Sequence, residues 1–127
     1  MQNYQKNSRE IGNIGEQATA DFLERKGYEI LRRNYTVRGG EIDIIARKER
    51  VVAFVEVKTR KESPLSQGEE AITAAKKRRI IAAAQRFIDE VLKDCGDFRF
   101  DVAVVTVSDR AVRHLKYYVG AFDSSNQ

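Results

Sequence analysis

Gly40-Glu41-Ile42-Asp43-Ile44-Ile45-Ala46-Arg47-Lys48-Glu49-Arg50-Val51-Val52-Ala53-Phe54-Val55-Glu56-Val57-Lys58-Thr59 is the stretch that decides the fold. Residues 41–46 and 51–59 are two β-rich runs, and the charged turn 47–50 between them makes a hairpin signal. Side chains two apart on a strand share a face. Glu41 and Asp43 therefore point one way and Ile42 with Ile44 the other, while Glu56 and Lys58 face away from Val55 and Val57. Pairing of the two strands would bring all four charged residues onto one face, flanked by apolar side chains that shield them from water. Carboxylates gathered in such surroundings repel, so they need a cation, or one of them must hold a proton. Oxygen ligands with no His or Cys select Mg²⁺ or Mn²⁺ over zinc. A plainer reading has the same residues as cross-strand salt bridges on a half-exposed hairpin. What weighs against it is the pairing of G-E-x-D on one strand with E-V-K on the next, 12 residues lying between Asp43 and Glu56.

Outward from the hairpin, residues 1–13 read as a flexible arm containing Gly12, and residues from about 14 onward as an amphipathic helix stopped by Gly27. A strand follows over 28–37, and Gly39-Gly40 turns the chain back. Beyond the hairpin lies a polar loop with the only proline, Pro64. Ser66-Gln67-Gly68-Glu69 fits a capping box. It predicts a helix to about residue 94, with Ile72, Ile80, Ala84, Phe87 and Val91 facing a core and Gly96 ending it. Strands over 98–107 and 112–119, joined by Ser108-Asp109-Arg110-Ala111, precede a polar tail at 123–127. The order α-β-β-β-α-β-β predicts an α/β fold: one domain with a mixed central sheet flanked by helices.

At 127 residues, 42% of them hydrophobic, the chain suffices for one core and not for two domains. The single cysteine, Cys95, excludes an internal disulfide, and with the single histidine, His114, it excludes a Cys/His zinc cluster. Cys95 reads as an unreactive thiol and His114 as an ordinary strand residue, so nucleophile-plus-histidine catalysis has no support. No run approaches the roughly 18 apolar residues of a membrane span, and the polar N-terminus lacks a signal-peptide core. The expectation is a cytoplasmic protein with no membrane contact. Lys plus Arg is 23 against 19 for Asp plus Glu, and that net charge of +4 suits a polyanionic partner without demanding one.

Several blocks together resemble the YraN-like family of predicted endonucleases, within the PD-(D/E)XK nuclease superfamily. They are Gly15-Glu16, Gly27-Tyr28-Glu29-Ile30-Leu31, Gly40-Glu41-Ile42-Asp43-Ile44-Ile45-Ala46, Val55-Glu56-Val57-Lys58-Thr59-Arg60, Lys76 with Arg79-Ile80, and Arg99-Phe100-Asp101-Val102. The resemblance runs from about residue 11 to 122 and implies a restriction-endonuclease-like fold akin to Holliday-junction resolvases. It implies Asp43 and Glu56 as metal ligands, and Lys58 as the group that orients water or stabilises charge on the phosphate. Glu16 matches the extra helical acid of resolvase-like members, which makes it a third ligand. Ile42 stands where the superfamily's name-giving proline would precede Asp43. The implied activity is Mg²⁺- or Mn²⁺-dependent hydrolysis of nucleic-acid phosphodiesters, with DNA favoured over RNA and a homodimer as the assembly. The alternative is a non-catalytic nucleic-acid-binding module that keeps the same fold.

Glu16 also stands out in its own helix, because Ala20 and Leu23 at i+4 and i+7 put it toward the apolar side. An N-terminal charge favouring the helix dipole is the competing explanation. Glu41 reads as a ligand or as a partner of Arg38, with a supporting role at the site favoured. The run Lys76-Lys77-Arg78-Arg79 is either a solvated face or a source of phosphate contacts. Lys76 and Arg79 are its candidates for nucleic-acid binding, with Arg38 and Arg60 as extensions of the patch.

Overall fold

Alternation of apolar and polar residues becomes five strands, and a computed structural model describes them within residues 2–63, 72–93 and 96–124, with side chains from Ser8 onward. They are β1 (Glu29–Val37), β2 (Gly40–Lys48), β3 (Val51–Lys61), β4 (Asp97–Ser108) and β5 (Ala111–Phe122). In the sheet they keep sequence order, β1-β2-β3-β4-β5. All neighbours are antiparallel except β3 and β4, which run parallel from Val51↔Asp97 to Lys61↔Val107. A parallel pair needs a crossover, and α2 (Ala74–Phe87) lies in that connection. The expected α/β fold and element order are borne out.

Two apolar clusters, one on each face, sandwich the sheet. Ile42, Ile45, Val52, Phe54, Val102 and Val104 meet Ile80, Ala83, Ala84 and Phe87 of α2. On the other face Ile44, Ala46, Ala53, Val55 and Ala103 meet Ala20 and Leu23 of α1 (Gln2–Arg25). Strands buried on both faces lose the polar side of the alternation, which is why β2 and β3 read as almost continuous apolar runs. Among the described residues no helix is long and apolar enough to cross a membrane.

Three expectations are corrected. Residues 2–13 are helical, a continuation of α1 where an arm was expected. Gly12 and Gly15 are both tolerated inside the helix, and Gly15 has a packing reason. A Cβ there would come within 2.0 Å of Thr59 Oγ1, so its absence lets α1 lie directly on β3. Val91 is 46% exposed instead of facing the core. Past Phe87 the helix widens to a π-turn over Ile88–Leu92, which shifts the phase of the apolar stripe so that Ile88 and Leu92 pack inward. Finally, Ile42 and Ile44 lie in different clusters although two residues apart, so the pleat breaks at Asp43.

The capping box at residues 66–69, Pro64 and Cys95 lie outside the described residues. The cap of α2 is Thr73, whose side chain accepts a hydrogen bond from Lys76 N at 3.1 Å. Gly27, at φ +95°, ends α1 as expected, with Tyr28 N–H donating to Leu23 O. His114 is an exposed residue of β5 opposite Thr106.

Candidate active site

The break at Asp43 opens the site. The β2–β3 ladder runs from Lys48↔Val51 only as far as Ile44↔Val55. One residue further the strands part, and the Asp43 carboxylate takes over from the missing backbone acceptor: Val57 N–H donates to its Oδ2 at 2.8 Å. This bond fixes Asp43 against β3 where Glu56 emerges. Their carboxyl groups share a hydrogen bond.

Glu56 is 8% exposed, and its Oε1 is buried with no hydrogen-bond partner. Burial, followed by the negative charge of Asp43, pushes its carboxyl up to about 8. Asp43 is raised too, mainly by burial, with the Val57 N–H opposing the shift. At neutral pH the pair therefore holds a proton unless a cation takes its place.

Lys58 lies two residues along β3, whose pairing with β4 is regular throughout, so it shares the Glu56 face. It is half-buried. Arg60 continues the same row and is also half-buried. Across the sheet Glu56 is level with Val102, Lys58 with Val104, and Val102 with Tyr118 of β5. Beside this row, a groove of about 670 Å³ is lined by Val102 and Val104 of β4, by Tyr118 and its neighbours on β5, and by Ile72 and Lys77.

The first turn of α2 brings the basic residues to this pair. Lys76 Nζ stands 3.6 Å from Glu56 Oε2 and 3.6 Å from Glu41 Oε2. Arg79 reaches Glu41 Oε1 at 3.3 Å. The helix comes this close because Gly40 has no side chain: a Cβ there would lie 2.2 Å from the Arg79 carbonyl oxygen. Arg38, in the turn before Gly40, is exposed. Glu41 thus pairs with Lys76 and Arg79 and supports the site in that way, rather than through the alternative pairing with Arg38.

Glu16 is turned toward the sheet as its helical neighbours suggested, with 13% of its side chain exposed. Its Oε1 accepts from Arg33 at 3.1 Å and from Asn34 at 3.0 Å. It is near enough for its charge to raise Asp43. Yet among the described residues no three Asp, Glu, His or Cys side chains are grouped to hold a metal ion. The structure gathers Asp43, Glu56, Lys76 and Glu41, with Lys58 in the Glu56 row, and leaves Glu16 clamped to β1.

The donor set fits a hard divalent cation in part. Two carboxylates meet in a shielded position and one buried oxygen lacks a partner, but Glu16, held through its Oε1 by Arg33 and Asn34, is not grouped with them as a third ligand.

One buried acid was assigned no role from sequence. Asp101 is fully buried on β4 and accepts from Arg99 Nε at 2.9 Å, Tyr117 Oη at 2.6 Å and Gly120 N at 2.8 Å. The signal available was an acid inside the apolar run 98–107, which must be paired to be buried there.

Residues 15–105 match the model of a family described as uncharacterised protein family UPF0102. A UPF0102 protein of Chloroherpeton thalassium is 43% identical over 99 residues, covering 78% of this chain and 77% of that one. Another, from Caldicellulosiruptor saccharolyticus, is 44% identical over 78% of this chain and 84% of its own. A third, from Trichlorobacter lovleyi, is 38% identical over 93% and 94% of the two chains.

Proposed function

This chain belongs to the UPF0102 family, the YraN-like family its motifs resemble, and we propose that it is a cytoplasmic, metal-dependent endonuclease that hydrolyses nucleic-acid phosphodiester bonds, with DNA favoured as the substrate. The observation that carries this reading is the half-buried Asp43 beside the buried Glu56, whose Oε1 is left without a partner. A structural acid pair would gain by satisfying that atom; a binding site keeps it open.

In this reading Asp43 and Glu56 hold Mg²⁺ or Mn²⁺, with Glu16 as a further acid that its side chain would have to bring nearer. When bound, the metal supplies Lewis-acid polarisation of a phosphoryl oxygen and a water of lowered pKa. The remaining work belongs to the chain. Val57 N–H holds Asp43 in place. Lys58 offers its ammonium to the negative charge that grows on the phosphate in the transition state, a contribution typically of about 3 kcal/mol. Lys76, Arg79, Arg38 and Arg60 supply phosphate contacts around the pair. The groove lined by Val102, Val104 and Tyr118 lies on the strands next to the Glu56 row and gives a nucleic-acid strand an apolar floor to lie on.

The test is a cleavage screen over linear, flapped and four-way substrates with Mg²⁺, Mn²⁺ or EDTA. Asp43→Ala and Lys58→Ala should each lower metal-dependent cleavage by roughly a hundredfold or more with the fold retained. Equal cleavage by wild type and both variants would mark a contaminant and overturn the assignment.

The Lys76 contact favours a second reading, a nucleic-acid-binding module without catalysis, because an internal cation already sits against Glu56. Salt-sensitive binding that persists in EDTA, with no cleavage of any substrate in the screen, would select it.

A further inference from the structure

Lys76 occupies an unfavourable place. It lies in the first turn of α2, just after the Thr73 cap, where the helix dipole presents its positive end. Its counter-charge comes from across the site, from Glu41 and Glu56. Both contacts are 3.6 Å long, which is Coulombic reach beyond hydrogen-bond length. The contact satisfies only one Glu56 oxygen, since Oε1 stays buried and unpartnered.

We propose that Lys76 is the resident counter-ion of the carboxylate pair, which a divalent cation displaces and which then passes to the substrate phosphate. The proposal rests on the nuclease reading of the same pair and adds the order of events at it. Three features make the exchange easy. The α2 backbone is fixed against β2 at Gly40, so only the flexible Lys76 side chain has to move. Glu41 keeps a partner when Lys76 leaves, because Arg79 already reaches its other oxygen at 3.3 Å. Glu56 exchanges one positive charge for two, and the divalent ion can use the oxygen that Lys76 leaves unmet. The departing ammonium remains next to the metal site, on the partly exposed side where a phosphate would approach.

Titration calorimetry with Mg²⁺ or Mn²⁺ at alkaline pH, on wild type, Lys76→Met and Lys76→Arg, tests the exchange. Removing the competing cation should tighten metal binding roughly fivefold in Lys76→Met, the upper end of what a partly exposed ion pair supplies. Lys76→Arg should stay near wild type. A cleavage-resistant oligonucleotide gives the second readout: added metal should strengthen its binding to wild type and have a smaller effect on Lys76→Met. Unchanged or weaker metal binding by Lys76→Met overturns the exchange and leaves the nuclease reading standing. Absence of metal binding by the wild type overturns both.

Discussion

Asp101 and Glu56 are two buried acids on neighbouring strands, one rung apart. In the β3–β4 register Asp101 is level with Val55 and Glu56 with Val102, so the two acids point to opposite faces of the sheet. Asp101 has a guanidinium, a phenol and a backbone N–H as donors. Glu56 has another acid beside it, a lysine at long range and an oxygen with nothing. Burial penalises both charges alike; what differs is how far the surroundings compensate. A fully compensated acid behaves as part of the framework, whereas an under-compensated one is a demand for a cation or a proton.

The contrast can be broken first at Asp101. Asp101→Ala leaves Arg99, Tyr117 and the Gly120 N–H facing an apolar hole and should cost about 3–5 kcal/mol, read as a lowered denaturant midpoint. A loss below about 1 kcal/mol would place Asp101 outside the framework.

Glu56 should show the opposite sign. Its carboxyl is raised from 4.5 to about 8, so the folded protein binds its proton more tightly than the unfolded chain. That contribution is complete below pH 4.5 and is lost as pH rises through 8. Glu56→Gln should therefore flatten the stability–pH curve in this window. Well above pH 8 it should be more stable than wild type by on the order of 2 kcal/mol. Saturating Mg²⁺ should flatten the wild-type curve in the same window. Parallel curves for wild type and Glu56→Gln would mean that Glu56 is as well compensated as Asp101.

The smallest effect sharpens the framework side. Burial and the charge of Asp101 push the Tyr117 phenol upward, so it remains a donor throughout the working range. Tyr117→Phe removes one of several donors to Asp101 and should cost about 1 kcal/mol in the same unfolding measurement.

The sheet and the meeting of Asp43 with Glu56 were legible because they follow from period two and from a short turn. Lys58 followed from the same alternation. The pleat break at Asp43 was not legible, since it depends on the strands parting and on a side chain replacing a backbone acceptor. Nor was the start of α1, because the polar residues 2–13 carry no apolar stripe and include Gly12. Glu16 was rightly turned inward by helical spacing. Its clamp by Arg33 and Asn34 joins residues 17 and 18 positions apart, which spacing within one element cannot reveal. Lys76 was visible as a basic residue, while its contacts with Glu41 and Glu56 depend on the close approach of α2 to β2 at Gly40.

Gly40 sets α2 at bare backbone contact with β2, and Gly15 sets α1 against the Thr59 side chain of β3. The α2 distance, fixed backbone to backbone, cannot be adjusted by swapping one core side chain for another of slightly different size. The depth of the acid pair behaves as a hard stop, and variation in this chain's chemistry has to come from the long side chains around the rim.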